Sequence, residues 1–207
     1  MKLNREQMQM ILALFIVAAI SAILLSLTDM LTREPIAQAQ RQALHSALLQ
    51  VLPEHDNEVQ DDLLEVDGRA IYPARLHGRL TGLAWEVIAP DGYSGSIRIL
   101  VGIHPDGHVQ AIRVTEHKET PGLGDGIVHN KSWLDSFHER GLSGVHWAVK
   151  KDGGDFDQFT GATITPRAVV KAVKGALVFY QSQQIKILDQ INSKTAVVAP
   201  SAAGGGK

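Results

Sequence analysis

The period of the hydrophobic positions changes twice along the chain. From Met10 to Leu27 no residue is charged, and the only hydroxyls in that run are Ser21 and Ser26. As a helix the run is about 27 Å long, close to the thickness of a bilayer's hydrocarbon core. A buried core helix would show a polar stripe, and none is visible. A cleaved signal peptide is the closer rival, because Lys2 and Arg5 form a positive start and Ala37-Gln38-Ala39 resembles a cleavage site. Against it, the run exceeds the usual apolar region of a signal, and Arg33, Glu34 and Pro35 separate it from that site. The pattern predicts an uncleaved transmembrane anchor over residues 1–29. Lys2 and Arg5 before the span and Asp29 after it place the N-terminus in the cytoplasm and the rest of the chain outside, in a bacterium the periplasm.

A three- and four-residue spacing of Ile36, Ala39, Ala43, Leu44, Ala47, Leu48 and Val51 then predicts a helical stalk over 30–53, with Pro35 at a first-turn position. The acidic, polar stretch 54–62 reads as a loop. Beyond it the period becomes two. Leu80–Ala89, Gly95–His104 and His108–His117 read as strands, separated by Pro90-Asp91-Gly92 and Pro105-Asp106-Gly107, so an antiparallel meander is predicted. A weaker pair, 63–66 and 70–77, is joined by Asp67-Gly68. A short helix near Ser132–Glu139, a strand at Val145–Lys150 and a helix from about Pro166 to Tyr180, extendable to Ser193, complete the order. The predicted class is α+β: an antiparallel sheet domain flanked by helices, over 54–193, on a single transmembrane helix and stalk, with a low-complexity disordered tail at 194–207.

Composition narrows the function. The 207 residues are 44% hydrophobic and 20% charged with a formal net charge of −2, so the chain is globular and lacks the basic surplus of a nucleic-acid binder. It has no cysteine, which excludes disulfides, thiolate metal sites, iron–sulfur clusters and cysteine nucleophiles, and leaves any redox role to an organic cofactor. The nine histidines form no tight ligand spacing, and Asp152, Asp155 and Asp157 lack the pattern of a calcium loop, so no metal ligands and no catalytic residues are assigned.

Two segments carry candidate chemistry. In the first, Asp152 to Arg167, two glycines and small residues lead into Thr165-Pro166, read as an N-cap followed by proline at the first helical position. Thr160, Thr163 and Thr165 thereby gather with free backbone N–H groups at the positive end of a helix, an arrangement suited to a phosphate. The plainer alternative is a cap and a turn. In the second, Glu116 to Gly124, a strand enters a Pro121-Gly122 turn. This is either a tight connection or a loop that closes over a flat ligand, with Gly122 and Gly124 permitting close approach.

Together these segments resemble the FMN-binding domain family, and within it the G subunits of Rnf/Rsx electron transport complexes. The resemblance rests on the N-terminal anchor, Ala-Pro-Asp-Gly-Tyr-Ser-Gly at 89–95, Val-Thr-Glu-His-Lys-Glu-Thr-Pro-Gly-Leu-Gly-Asp at 114–125, and the run from Trp147 to Pro166 that contains Thr-Gly-Ala-Thr at 160–163. One departure is Gly126 after Asp125, where the family pattern has lysine. The resemblance implies FMN held by a phosphoester to Thr163, with Thr160, Gly161, Ala162 and Thr165 around the attachment point and Glu119, Thr120, Gly122, Leu123, Gly124 and Tyr93 toward the ring. It further implies a separate Mg²⁺-dependent flavin transferase that uses FAD, and the other subunits of an ion-translocating complex as partners. The expected function is electron relay within that complex. The alternatives are a non-redox structural periplasmic subunit or a free-standing periplasmic flavin reductase.

Overall fold

A computed structural model describes residues 4–198, which fall into two compact units divided between His45 and Ser46. The first unit is helical from Arg5 onward, the leading part of α1 (Arg5–Val51). Leu14, Phe15, Leu25 and their apolar neighbours are exposed along it. This helix is long and apolar enough to cross a membrane. Thr28 and Thr32 turn their hydroxyls back to the carbonyls of Leu24 and Thr28, both at 2.8 Å, and so need no outside partner. Pro35, read as a first-turn residue of the stalk, lies inside one continuous helix. α1 runs straight through it, because proline removes a single N–H donor from the ladder while Ile36 and the alanines beyond continue the helix.

The second unit is built on a five-stranded antiparallel sheet in the order β1 (Leu64–Val66), β2 (Arg69–Leu76), β3 (Arg79–Ala89), β4 (Ile97–Ile103) and β5 (Val109–Glu116). Every strand is joined to its sequence neighbour, so the predicted meander is present and gains its first pair. Asp67-Gly68 and His77-Gly78 close the first two hairpins, all four residues having positive φ between 51° and 77°. That is the backbone of a two-residue turn whose twist matches the strands.

Each face of the sheet is covered. Leu83, Trp85 and Val87 of β3 and Ile97, Ile99, Val101 and Ile103 of β4 belong to a core shared with Val169, Val173, Ala176, Leu177 and Tyr180 of α4 (Ile164–Val198). The opposite face bears Gly82 and Gly102, and they explain what lies there. A side chain at Gly102 would come within 1.9 Å of the Val51 carbonyl oxygen, and one at Gly82 within 2.5 Å of the Pro53 ring. The end of α1 therefore rests directly on strand backbone, and glycine is what lets it approach. Gly102→Ala is expected to cost about 1–3 kcal/mol through overpacking, read as a lower urea midpoint with an unchanged slope.

Between β5 and α4 the chain forms α2 (Gly126–His129), α3 (Lys131–Asp135) and a 3₁₀ turn at Lys150–Asp152. The strand expected at Val145–Lys150 is absent. Only Val149 makes a bridge, to Phe156, and Trp147 instead turns its indole N–H to the Gly141 carbonyl at 3.0 Å. This region is organised by aromatic packing rather than by a ladder: Trp133, Phe137, Trp147, Phe156 and Phe159 contact one another with ring centroids 4.6–6.3 Å apart. α4 begins two residues earlier than expected and continues to Val198, so residues 194–198 of the expected tail are helical. The remainder of that tail, 199–207, lies outside the described residues.

Candidate functional site

The start of α4 sets the geometry of the site. Phe159 to Ala162 is a four-residue turn closed by the Ala162 N–H on the Phe159 carbonyl at 3.1 Å, and Gly161 occupies its left-handed position at φ 79°. The turn delivers Thr163 to the N-cap, where its carbonyl accepts the Arg167 N–H at 3.3 Å. This corrects the expected cap. Thr165 is the second residue of the helix, and Pro166 occupies a first-turn position whose missing N–H costs nothing because that group has no intrahelical acceptor. The N–H groups of Ile164 and Thr165, also in the first turn, have no carbonyl one turn earlier within the helix to bond.

The Thr165 hydroxyl does something other than cap. It donates to Glu119 Oε2 at 2.5 Å, and the other carboxylate oxygen, Oε1, accepts the Ser94 N–H at 3.0 Å. Glu119 and Thr165 are the two buried polar side chains among the described residues. They join three segments: the loop before β4, the loop after β5 and the first turn of α4. The fit is close. A side chain at Gly124 would lie 2.7 Å from Glu119 Oε2 and 3.1 Å from Thr165 Oγ1, and one at Gly92 would lie 3.0 Å from Glu119 Oε1. The second loop is itself folded tightly. The N–H groups of Leu123 and Gly124 both bond the Thr120 carbonyl at 3.1 Å, and Gly122, at φ 77°, donates its N–H to Asp125 at 2.8 Å.

These segments enclose a cavity of about 300 Å³, lined by Tyr93, Glu119, Thr120, Leu123, Gly124, Gly161, Ala162, Thr163, Ile164 and Thr165. Its size is at the lower end of ligand pockets. Nine of the eleven residues singled out from the sequence are therefore brought together. Thr160 and Gly122 stay outside the lining, each exposed at the apex of its turn. Ile164 lines the cavity without having been foreseen; its place directly after Thr163 was the available signal. Tyr93, Leu123 and Ile164 are 69%, 51% and 44% exposed, so the mouth has an apolar rim. No cationic side chain lines the cavity, and positive potential there comes from the helix end.

Ion pairs outside the cavity fix its frame. Arg167 grips Asp152 with two hydrogen bonds, at 2.6 and 2.9 Å, tying the glycine loop to the first turn of α4. Lys171 reaches Asp91 at 2.6 Å and ties in the loop before β4. The Arg167 hydrogen bonds hold the Asp152 carboxyl below its usual range, and the Lys171 hydrogen bond does the same for Asp91. A depressed carboxylate stabilises the fold above its unfolded value, about 4, and that contribution is lost as pH falls through the folded value. Arg167→Gln is expected to raise the Asp152 midpoint toward the ordinary carboxylate value, read by NMR titration of the side-chain carboxyl. At Gly126 an added side chain would stand 2.9 Å from the Phe159 ring, so this residue is matched to the aromatic wall behind the turn.

Comparison with known proteins shows the family. A family model described as the FMN-binding domain matches residues 92–178, and one described as the RnfG N-terminal region matches residues 10–51. The G subunit of the ion-translocating oxidoreductase complex from Aliivibrio fischeri strain MJ11 is 47% identical over 198 residues, covering 88% of this chain and 93% of the relative. Its counterpart of the same name from Pseudomonas aeruginosa strain UCBPP-PA14 is 43% identical over 200 residues, covering 89% and 94%. The crystal structure of Shewanella oneidensis NqrC superposes with a TM-score of 0.49 at 20% identity, over 70% of each chain. With relatives this similar over nearly its whole length, the chain belongs to the family of G subunits of ion-translocating oxidoreductase complexes, and its second unit carries an FMN-binding domain.

Proposed function

We propose that this chain is a membrane-anchored flavoprotein subunit that holds FMN covalently, through a phosphoester on Thr163, and relays electrons within its complex. The observation that carries the reading is the convergence on one cavity of the Thr163 side chain, the N-terminal turn of α4 and the Glu119–Gly124 loop. The residues present fit the group. Thr163 supplies a hydroxyl for the ester, the first-turn N–H groups of Ile164 and Thr165 would hold a phosphate with the helix dipole behind them, and Leu123, Ile164 and Tyr93 offer apolar surface to a ring. When bound, FMN supplies the redox chemistry, accepting and passing on electrons.

The chain's own residues bind and orient. A threonine hydroxyl is a weak nucleophile without an adjacent base, and no His or Lys flanks Thr163 or lines the cavity. Attachment is therefore assigned to a separate Mg²⁺-dependent flavin transferase with FAD as donor. Thr163 Oγ forms a new bond to the FMN phosphorus, the pyrophosphate P–O bond breaks, AMP leaves, and the hydroxyl proton passes to a base on the transferase. Lys2 and Arg5 before the apolar span and Asp29 after it support a bacterial inner-membrane location, with the N-terminus cytoplasmic and the FMN-binding domain periplasmic. The other subunits of the complex are the partners. The near-neutral charge supports no nucleic-acid partner.

Denaturing electrophoresis tests the attachment. The full chain, produced in a host that has the transferase, should give a flavin-fluorescent band after boiling in detergent. A dark band from that material would leave the structural-subunit alternative in its place.

A further inference from the structure

Three hydroxyls, at Thr160, Thr163 and Thr165, lie within six residues, so a transferase that reads this segment meets more than one possible acceptor. We propose that Glu119 is a positioning residue that confines phosphoryl attachment to Thr163 by holding the Thr165 hydroxyl turned away from the cavity. The proposal rests on the covalent reading above and adds to it the source of its site selectivity.

Threonine in a helix divides between two χ1 rotamers, so an unrestrained Thr165 could turn its hydroxyl toward the cavity that it lines. In the structure it does not. The side chain is fully buried, its O–H donates to Glu119 Oε2 at 2.5 Å, and Gly124 packs so closely over it that even a Cβ there would approach Thr165 Oγ1 to 3.1 Å. A phosphorus atom has no path to that oxygen. Glu119 is held in place in turn by the Ser94 N–H, on the side away from Thr165. Its carboxylate at the cavity wall also repels a phosphate that would sit as deep as Thr165. Thr163, two residues earlier at the N-cap, has neither restraint and faces the cavity half-buried. Thr160 is excluded differently, because the left-handed Gly161 turns the chain between it and Thr163 and leaves it outside the lining.

The test maps the flavin adduct by tandem mass spectrometry on the peptide containing residues 159–167, from full-length protein produced with the transferase. Wild type should carry the adduct on Thr163 alone. In Glu119→Ala an adduct on Thr165 should appear, about tenfold to a hundredfold above the wild-type background at that residue, the factor set by one hydrogen bond to a charged group. In Glu119→Gln the amide can accept from Ser94 and donate to Thr165 Oγ1, so attachment should return to Thr163 alone. If Glu119→Ala loses the wild-type melting transition, Glu119→Asp, one methylene shorter, replaces it with the same expectation. No rise at Thr165 in the folded variant overturns the proposal, and so does equal spreading in the Gln and Ala variants. Thr163→Ala with native Glu119 should show no adduct on Thr165; an adduct there also overturns it. If wild type itself has no adduct on this peptide, the covalent reading fails and the proposal falls with it, an outcome distinct from all the others.

Discussion

Thr163→Ala is expected to abolish covalent flavin while leaving the FMN-binding domain folded. The loss should be complete, because neither neighbouring hydroxyl can substitute: Thr165 is buried and donates to Glu119, and Thr160 lies outside the cavity. The structural cost is small by comparison. Replacing threonine at an N-cap costs about 0.5–2 kcal/mol, against a total stability of about 5–15 kcal/mol for a typical domain. Thr163→Ser keeps a hydroxyl at the same place and should retain the flavin. Two measurements separate chemistry from folding: flavin absorbance that survives acid precipitation, and the thermal transition by circular dichroism. Flavin retained in the alanine variant, or lost in the serine variant with a normal melt, would contradict the assignment.

The second large effect concerns what holds α4, and with it Thr163, against the sheet. Trp85 on β3 is fully buried and meets Tyr180 with ring centroids 6.2 Å apart, nearly parallel, and Phe179 edge-on at 5.8 Å. Tyr180 is anchored at its far end, where its hydroxyl donates to the Pro105 carbonyl at 2.8 Å, and burial pushes that hydroxyl's pKa above its ordinary value. Trp85→Ala is expected to cost about 3–5 kcal/mol, the range for truncating a large buried aromatic. Trp85→Phe should be much milder. The Trp85 indole N–H is buried without a hydrogen-bond partner in the protein, so removing it relieves an unpaired donor and offsets part of the lost contact. Urea denaturation of the full chain in detergent, followed by near-ultraviolet circular dichroism, measures both. Because α4 carries the N-cap threonine, the alanine variant should also take up less flavin, whereas the phenylalanine variant should not.

Much of the fold was legible because the relevant signals are local. The meander follows from period-two runs punctuated by Asp67-Gly68 and Pro105-Asp106-Gly107, and both turns form as read. The His77-Gly78 turn was less visible, since histidine is an uncommon residue at positive φ and its β-rich neighbours carry the expected strand through His77, one residue beyond the end of β2. The failures have tertiary causes. Val145–Lys150 has strand-like residues, yet Trp147 is spent on the aromatic cluster with Phe137 and Phe156, and Val149 finds only an isolated bridge to Phe156. Pro35 reads as a helix start only if the helices on either side are taken as separate. The cap was misplaced for a similar reason. Thr165-Pro166 is an excellent N-cap pair by itself, but Glu119, 46 residues earlier, recruits the Thr165 hydroxyl and the helix starts at Ile164 instead. No local pattern announces a hydrogen bond of that separation. The resemblance implied that Glu119, the glycines of both loops and the three threonines form one site; nine of the eleven residues assigned to it line one cavity, and Thr160 and Gly122 do not.

The most direct measurement is the mass of the wild-type peptide spanning residues 159–167, taken from the full chain purified from membranes that contain the transferase. The expected result is one FMN in phosphoester linkage, less the water lost on condensation, with fragment ions that place it on Thr163. An unmodified peptide, or fragment ions that place the flavin on any other residue, would contradict it.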